Sequence, residues 1–206
     1  MRTILVTPPA QLISTATLKS YLRVDGSLED ATIDTMIKTA TRYLEDYLSL
    51  KFNSQVWDIW LDGWPCSSKR DQWWDGVRDG AIGELYSHEK FIKIPFGRII
   101  SLDSFSTFNS SNVELVHTPG DYIVDTVSYQ GRIGLNVGQT WPTTFLRPIN
   151  AIKFRVTVGL ATVPDDILQA VKELTAFFFE NRGDENREIP PSILGIVSPY
   201  KELKLG

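Results

Sequence analysis

Cysteine is almost absent: Cys66 is the only one in 206 residues. A lone thiol cannot build an internal disulfide framework or a zinc site made from several cysteines. Histidine is nearly as scarce. His88 and His117 alone give a histidine-rich metal centre or a Ser-His-Asp triad little to draw on, and no Gly-x-Ser-x-Gly elbow accompanies them. No stretch approaches the roughly 18 apolar residues that a membrane span requires. The opening segment, Met1 to Pro9, is too short in its apolar part to read as a secretory signal. Excess positive charge is also lacking, with 21 Lys+Arg against 25 Asp+Glu and a pI near 5.2. That balance is not the basic footprint of a tight nucleic-acid binder. These exclusions leave an expected soluble domain of a reducing compartment, with an ordinary core; no cofactor and no metal are expected.

The 42% of apolar residues is enough for an ordinary core, and the length suits a single domain over 1–206. Its parts read as N-terminal helices over 14–50, a β-rich middle over 51–162, C-terminal helices over 163–198 and a tail over 199–206. A short helix from Ser14 to about Leu22 puts Leu18, Tyr21 and Leu22 on one face, and Gly26 breaks it. Ser27 followed by Asp30 has the spacing of a capping pair. The helix it opens carries Ile33, Met36, Ile37, Ala40, Leu44, Tyr47 and Leu48 at intervals of three and four. Asp34, Lys38, Glu45 and Asp46 fill much of the remaining, solvated face.

In the middle, Gly, Pro, Asn and Ser punctuate short β-branched and aromatic runs. Gln55–Leu61 alternates at period two, and Phe91–Ile94, Ile100–Phe108, Tyr122–Asp125, Arg132–Val137 and Ala151–Val158 are further candidate strands. Their spacing predicts a small antiparallel sheet or sandwich, and the lack of strand–helix–strand alternation excludes a doubly wound parallel sheet. Residues 62–90 hold Trp64, Trp73 and Trp74 without any sustained period and read as a long loop. Pro164, Asp165 and Asp166 then open a second strong helix whose stripe is Ile167, Ala170, Val171, Leu174, Phe177 and Phe178. Phe177, Phe178 and Phe179 sweep roughly 200° of arc, so one of them is expected to leave the core face. A polar loop follows over 182–188, and after Pro190 and Pro191 a short apolar helix runs from Ser192 to Val197.

Few residues here can carry chemistry. Adjacent carboxylates on a helix point about 100° apart, so Asp165 and Asp166 are better placed to stabilise the helix start than to act as a glycosidase pair. Gly131, Gly134 and Gly138 precede no helix and lack the spacing of a phosphate cradle. The tryptophans say more: Trp57, Trp60, Trp64, Trp73 and Trp74 fall within 18 residues, with Trp141 further on. Trp57 and Trp141 read as core. Rigid aromatic area in a polar loop, as at Trp73 and Trp74, suits carbohydrate stacking or a protein contact.

The order of several motifs resembles one family. Leu18-Lys19-x-Tyr21-Leu22-Arg23-Val24-Asp25-Gly26 runs into the long helix; Gln55-x-Trp57, Ile94-Pro95-Phe96-Gly97-Arg98-Ile99, Asp121-Tyr122-x-Val124-Asp125 and Trp141-Pro142 follow. Phe154-x-Val156-x-Val158-Gly159-Leu160-Ala161-x-Val163-Pro164, then Ala170-Val171, Glu180-Asn181-Arg182 and Ile189-Pro190, close the series. Together they resemble phage head–tail connector (adaptor) proteins of the gp6-like type across nearly the whole chain, apart from a 62–90 segment richer in Trp. The resemblance implies an α+β fold that is mainly a helical bundle with a β-rich antiparallel insertion. It implies a virion component of the neck, made in the bacterial host cytoplasm, with no enzymatic activity and no catalytic residue. Its copies would form a ring, commonly of twelve, beneath the portal protein, joined below by a stopper or tail-completion protein, with DNA passing through unspecifically and no membrane involved.

A ring subunit needs two unlike patches. Trp73, Trp74, Phe178, Phe179, Ile193 and Tyr200 are the candidate interface residues, and the tail from Pro190 is expected to order against the portal. Over 165–188, seven acids face three bases, and Asp184, Glu185 and Glu188 are candidates to line a channel that does not grip DNA. The competing expectations are another neck or tail-completion protein, a Trp-rich carbohydrate-binding module, and a hydrolase using Asp165 or Glu45.

Overall fold

The alternation read in the middle of the chain is realised as sheets. The computed structural model describes residues 1–64, 91–137, 139, 145–183 and 188–201. In chain order these form β1 (Arg2–Thr7), α1 (Thr15–Leu22), α2 (Asp30–Leu48), β2 (Gln55–Leu61), β3 (Phe91–Lys93) and β4 (Ile99–Phe108). There follow β5 (Glu114–Val116), β6 (Tyr122–Asp125), β7 (Arg132–Leu135), β8 (Ile152–Val158), α3 (Asp165–Glu180) and α4 (Pro191–Val197). The chain divides into two compact units: Met1–Thr7 with Val56–Val158, which holds the strands, and Pro8–Gln55 with Gly159–Gly206, which holds the helices. This corrects the expectation of a mainly helical bundle with a β-rich insertion. The strands make two antiparallel sheets with a core of their own, and they recruit the N-terminal segment as well as the middle.

In the β unit the larger sheet has the order β1-β2-β8-β4-β5 and the smaller one β3-β7-β6. β8 sits at the centre and shows why: Ile152, Phe154, Val156 and Val158 are fully buried while Lys153, Arg155 and Thr157 turn to the other face. Phe154 stacks on Phe105 of β4 at 4.7 Å, and Ile59, Ile94, Ile99 and Ile133 fill the space around them. On the opposite face, Asp58 of β2, 8% exposed, holds Arg155 by two hydrogen bonds of 2.7 and 2.8 Å. Bidentate carboxylate–guanidinium pairing fixes the register of the two central strands as well as their charges. β4 bends through two register shifts against β8, between Ile99 and Ser101 and between Leu102 and Ser104.

In the helical unit, α2 buries Ile33, Ile37, Ala40, Leu44 and Leu48, and α3 buries Ile167, Ala170, Val171, Leu174 and Phe178. Leu50, Phe52, Ile193 and Val197 complete the main cluster; Leu18, Ile33 and Ile37 form a smaller one. Ser14 caps α1, accepting from the Thr17 N–H at 3.1 Å. The Ser27–Asp30 capping pair does not form. α2 begins later than that spacing implies, with Glu29 as its cap residue, so Ser27 offers only its backbone carbonyl, to the Asp30 N–H. The Asp30 carboxylate instead pairs with Lys19 at 2.6 Å.

Glu45 departs most from expectation. It is 6% exposed, not part of a solvated face. The chain leaving α2 folds back over it, and its carboxylate accepts from the Phe52 N–H at 2.9 Å, Lys51 Nζ at 3.0 Å and Gln55 Nε2 at 3.3 Å.

Candidate interaction surfaces

Each unit presents aromatic and charged side chains in a fixed arrangement. In the helical unit, an open groove of about 520 Å³ lies among α1, α3 and α4. Tyr21, Phe177 and Ile193 give it apolar walls, and Arg23, Glu173 and Glu180 give it charge. Arg23 stands there because it ends α1 in the left-handed conformation, φ 56°, which turns the chain toward Gly26. Beside the smaller cluster, the Arg182 guanidinium lies 4.1 Å from the Phe179 ring and donates to Glu29 at 2.9 Å. Tyr200 donates its hydroxyl to Asp166 at 3.1 Å; burial and the neighbouring carboxylate push its pKa up.

The β unit carries a second aromatic–cation assembly. Trp60 stacks on Phe108 at 5.6 Å, and Arg147 covers Phe108 at 4.1 Å while Lys153 lies 5.5 Å from the indole. Arg147 is held there by two hydrogen bonds to the Asn150 carbonyl, 2.9 and 2.6 Å. At the small sheet, Ser128, through its hydroxyl and its N–H, and then Arg132 donate to Asp125, and these bonds hold its carboxyl well below the usual range. His117 packs 4.4 Å from Phe105 with Nε2 at 2.8 Å from Thr107 Oγ1, and burial lowers its pKa despite the pull of Asp121.

Of the candidate interface residues, Phe178 (8% exposed) and Ile193 (4%) are packed in the helical core. Phe179 and Tyr200 are half-buried, with the partners just described. Phe177 is the member of the phenylalanine run that reaches the groove. Glu188 is exposed. Trp73, Trp74, Asp184 and Glu185 lie outside the described residues, as do Trp141 and His88. The described tryptophans are engaged within the chain: Trp57 stacks on Phe96 at 4.4 Å and Trp64 meets Phe105 edge-on at 5.8 Å. Asp165 and Asp166 are exposed at the start of α3, and Glu45 is a single buried carboxylate rather than one of a pair in a pocket. Among the described residues, no cluster of three or more His, Cys, Asp or Glu is placed to hold a metal ion, and no helix is long and apolar enough to cross a membrane.

Sequence reasoning missed β1 and β5, whose apolar side chains stay in solvent: Ile4, Leu5, Val6, Leu115 and Val116 are all exposed. The β-branched and aliphatic run Thr3-Ile4-Leu5-Val6 was the available signal for β1.

No protein-family model matches the sequence, and no curated protein matches it either. Solved structures do match in fold. A chain of the neck of an empty gene transfer agent (GTA) particle, computed with C6 symmetry, aligns with a TM-score of 0.77 over 100% of this chain and 97% of that one, at 16% identity. A chain from the virion of a native GTA particle aligns with a TM-score of 0.75 at the same identity and the same coverage. A chain from the neck of a native GTA particle, computed with C12 symmetry, gives 0.69 over 98% of this chain and 97% of that one, again at 16% identity. At such identity the likeness is one of fold.

Proposed function

We propose that this chain is a structural subunit of the neck of a phage-like particle, where copies of it form a ring at the head–tail junction and leave a passage for DNA. The observation that carries the proposal is the end-to-end likeness in fold to a chain of a GTA neck, TM-score 0.77. The C6 and C12 symmetries of the neighbouring particles support a ring, one of twelve copies in this reading. In its finer form the proposal makes the chain the connector, or adaptor, bound to the portal above and to a stopper or tail-completion protein below. The order of motifs from Leu18 to Pro190 supports that form.

The physical features agree with a passive joint. Net charge −4 and the acidic tract over 165–188 suit a wall along which a polyanion slides. A carbohydrate-binding reading draws no support from the described tryptophans, whose rings pack face-on or edge-on against aromatic side chains of this chain.

The test is to incubate the purified protein with its cognate portal and image the product by electron microscopy. Rings seated on the tail-facing end of the portal are the expected result. Failure to bind portal, with tryptophan quenching by oligosaccharide instead, would overturn the proposal in favour of a sugar-binding module.

A further inference from the structure

Among the described residues, no strand pairs with the outer edge of either end strand of the five-stranded sheet. Among the described residues β1 pairs on one side only, with β2, and β5 pairs on one side only, with β4. Natural sheets blunt such edges with charge, proline or a covering segment, because a free row of N–H and C=O groups is a template for another strand. Here the protection sits at the ends and not the middles. β1 bears Arg2 at its start and a register shift between Leu5 and Thr7 near its end; β5 bears Glu114 at its start. Between these, Ile4 is 49% exposed, Leu115 50% and Val116 64%.

The two edges are also matched in direction. β1 is antiparallel to β2, β8 to β4, and β4 to β5. β2 and β8 run oppositely too: Asp58 meets Arg155, and further along β2 Asp62 accepts from the Asn150 N–H. Five strands alternating in this way leave β1 and β5 pointing the same way. A head-to-tail operation that sets β5 of one copy beside β1 of the next therefore pairs them in parallel, and repeated from copy to copy it gives a ring where its rotation closes. With the strand starts level, Arg2 faces Glu114 across the junction, Thr3 faces Leu115 and Ile4 faces Val116. Opposite charge at one end and one apolar pair, Ile4 with Val116, behind it suit a cross-strand contact.

We propose that these edges are the two halves of one interface: β5 of each subunit adds to β1 of a second copy of this chain, so that the sheet runs continuously from subunit to subunit. The inference rests on the ring reading and says which surface closes the ring. In a Cys66→Ser background, Ile4→Cys with Val116→Cys should yield a ladder of covalent multimers under diamide oxidation, since facing strands hold their Cα atoms within disulfide reach, about 4.4–6.8 Å. Either cysteine alone should give no ladder. Arg2→Glu and Glu114→Arg should each weaken ring assembly at low salt, and the double exchange should restore it; near-UV circular dichroism checks that each variant is folded. If portal-seated rings form but the double-cysteine protein gives no ladder and the charge exchanges change nothing, the edge interface is wrong and the ring reading stands. If the unmodified chain forms no ring on portal, the reading beneath the inference falls, and the inference with it.

Discussion

Glu45 brings a carboxylate into a site where water is scarce, and three donors converge on it. Lys51, with a side chain 12% exposed, shares the burial, and the Phe52 N–H has its bond there at 2.9 Å. Removing one member of a buried, hydrogen-bonded charge set leaves the others desolvated without a partner, so Glu45→Ala should cost about 3 kcal/mol. Glu45→Gln keeps an acceptor and should cost about half as much; urea unfolding followed by far-UV circular dichroism measures both. His117 makes a prediction in pH. Burial beside Phe105 holds its pKa below the ordinary 6.5, against the opposing pull of Asp121. The unfolded chain therefore takes up the proton first as pH falls, and the native state loses stability from about pH 6.5 downward until the lowered folded value is passed. The urea midpoint should drop between pH 7.5 and 5.5, and His117→Gln should flatten that slope. An NMR titration placing the His117 pKa above 6.5 would contradict the packing argument. Asp125 has the corresponding sign for an acid: its contribution is present at neutral pH and disappears as pH falls below about 3.8.

At the scale of elements, the junction after β8 depends on one glycine. Gly159 has φ +142°, and a Cβ there would stand 2.8 Å from the Asn53 carbonyl oxygen, a backbone atom that cannot swing aside. Gly159→Ala should therefore cost about 2 kcal/mol or more, read as a lowered thermal midpoint, because both the backbone conformation and the close approach exclude a side chain. Leu160 N–H bonds to the Phe52 carbonyl at 2.9 Å beside it, which is why the two strands of chain must come so near. Elements whose two faces differ were legible before the structure. β6 has the limits read from the sequence, Tyr122–Asp125, and α2 and α3 bury the stripes their spacing marked. β1 and β5 were not legible for the opposite reason: with both faces largely in solvent there is no alternation to find, and β5 has only three residues. Glu45 was misplaced because its burial comes from the chain at Phe52–Gln55 folding back, which helical periodicity does not contain. Phe178, a candidate because one phenylalanine of the 177–179 run was expected to leave the core face, and Ile193, in the segment expected to order against the portal, both pack in the helical cluster.

For the molecule as a whole, charge sets what the proposed passage can do. A duplex carries one negative charge per about 1.7 Å, and each cation placed against a phosphate releases a counterion and steepens the fall of affinity with salt. A chain of net charge −4 with Asp165, Asp166, Glu180 and Glu188 exposed on its helical unit has little with which to hold that polyanion. Assembled rings should leave a linear duplex unretarded in a gel even at low salt. Charge reversal then maps the wall. If Glu180 and Glu188 face the passage, Glu180→Lys with Glu188→Lys should create retardation, and the slope of log affinity against log salt should steepen by about 0.9 for each phosphate newly neutralised. The same reversal at Asp103, exposed on the β unit, serves as the comparison. Retardation by the α3-side variant alone assigns the passage to the helical unit; retardation by Asp103→Lys alone would move the wall to the sheets and remove the acidic tract from the channel.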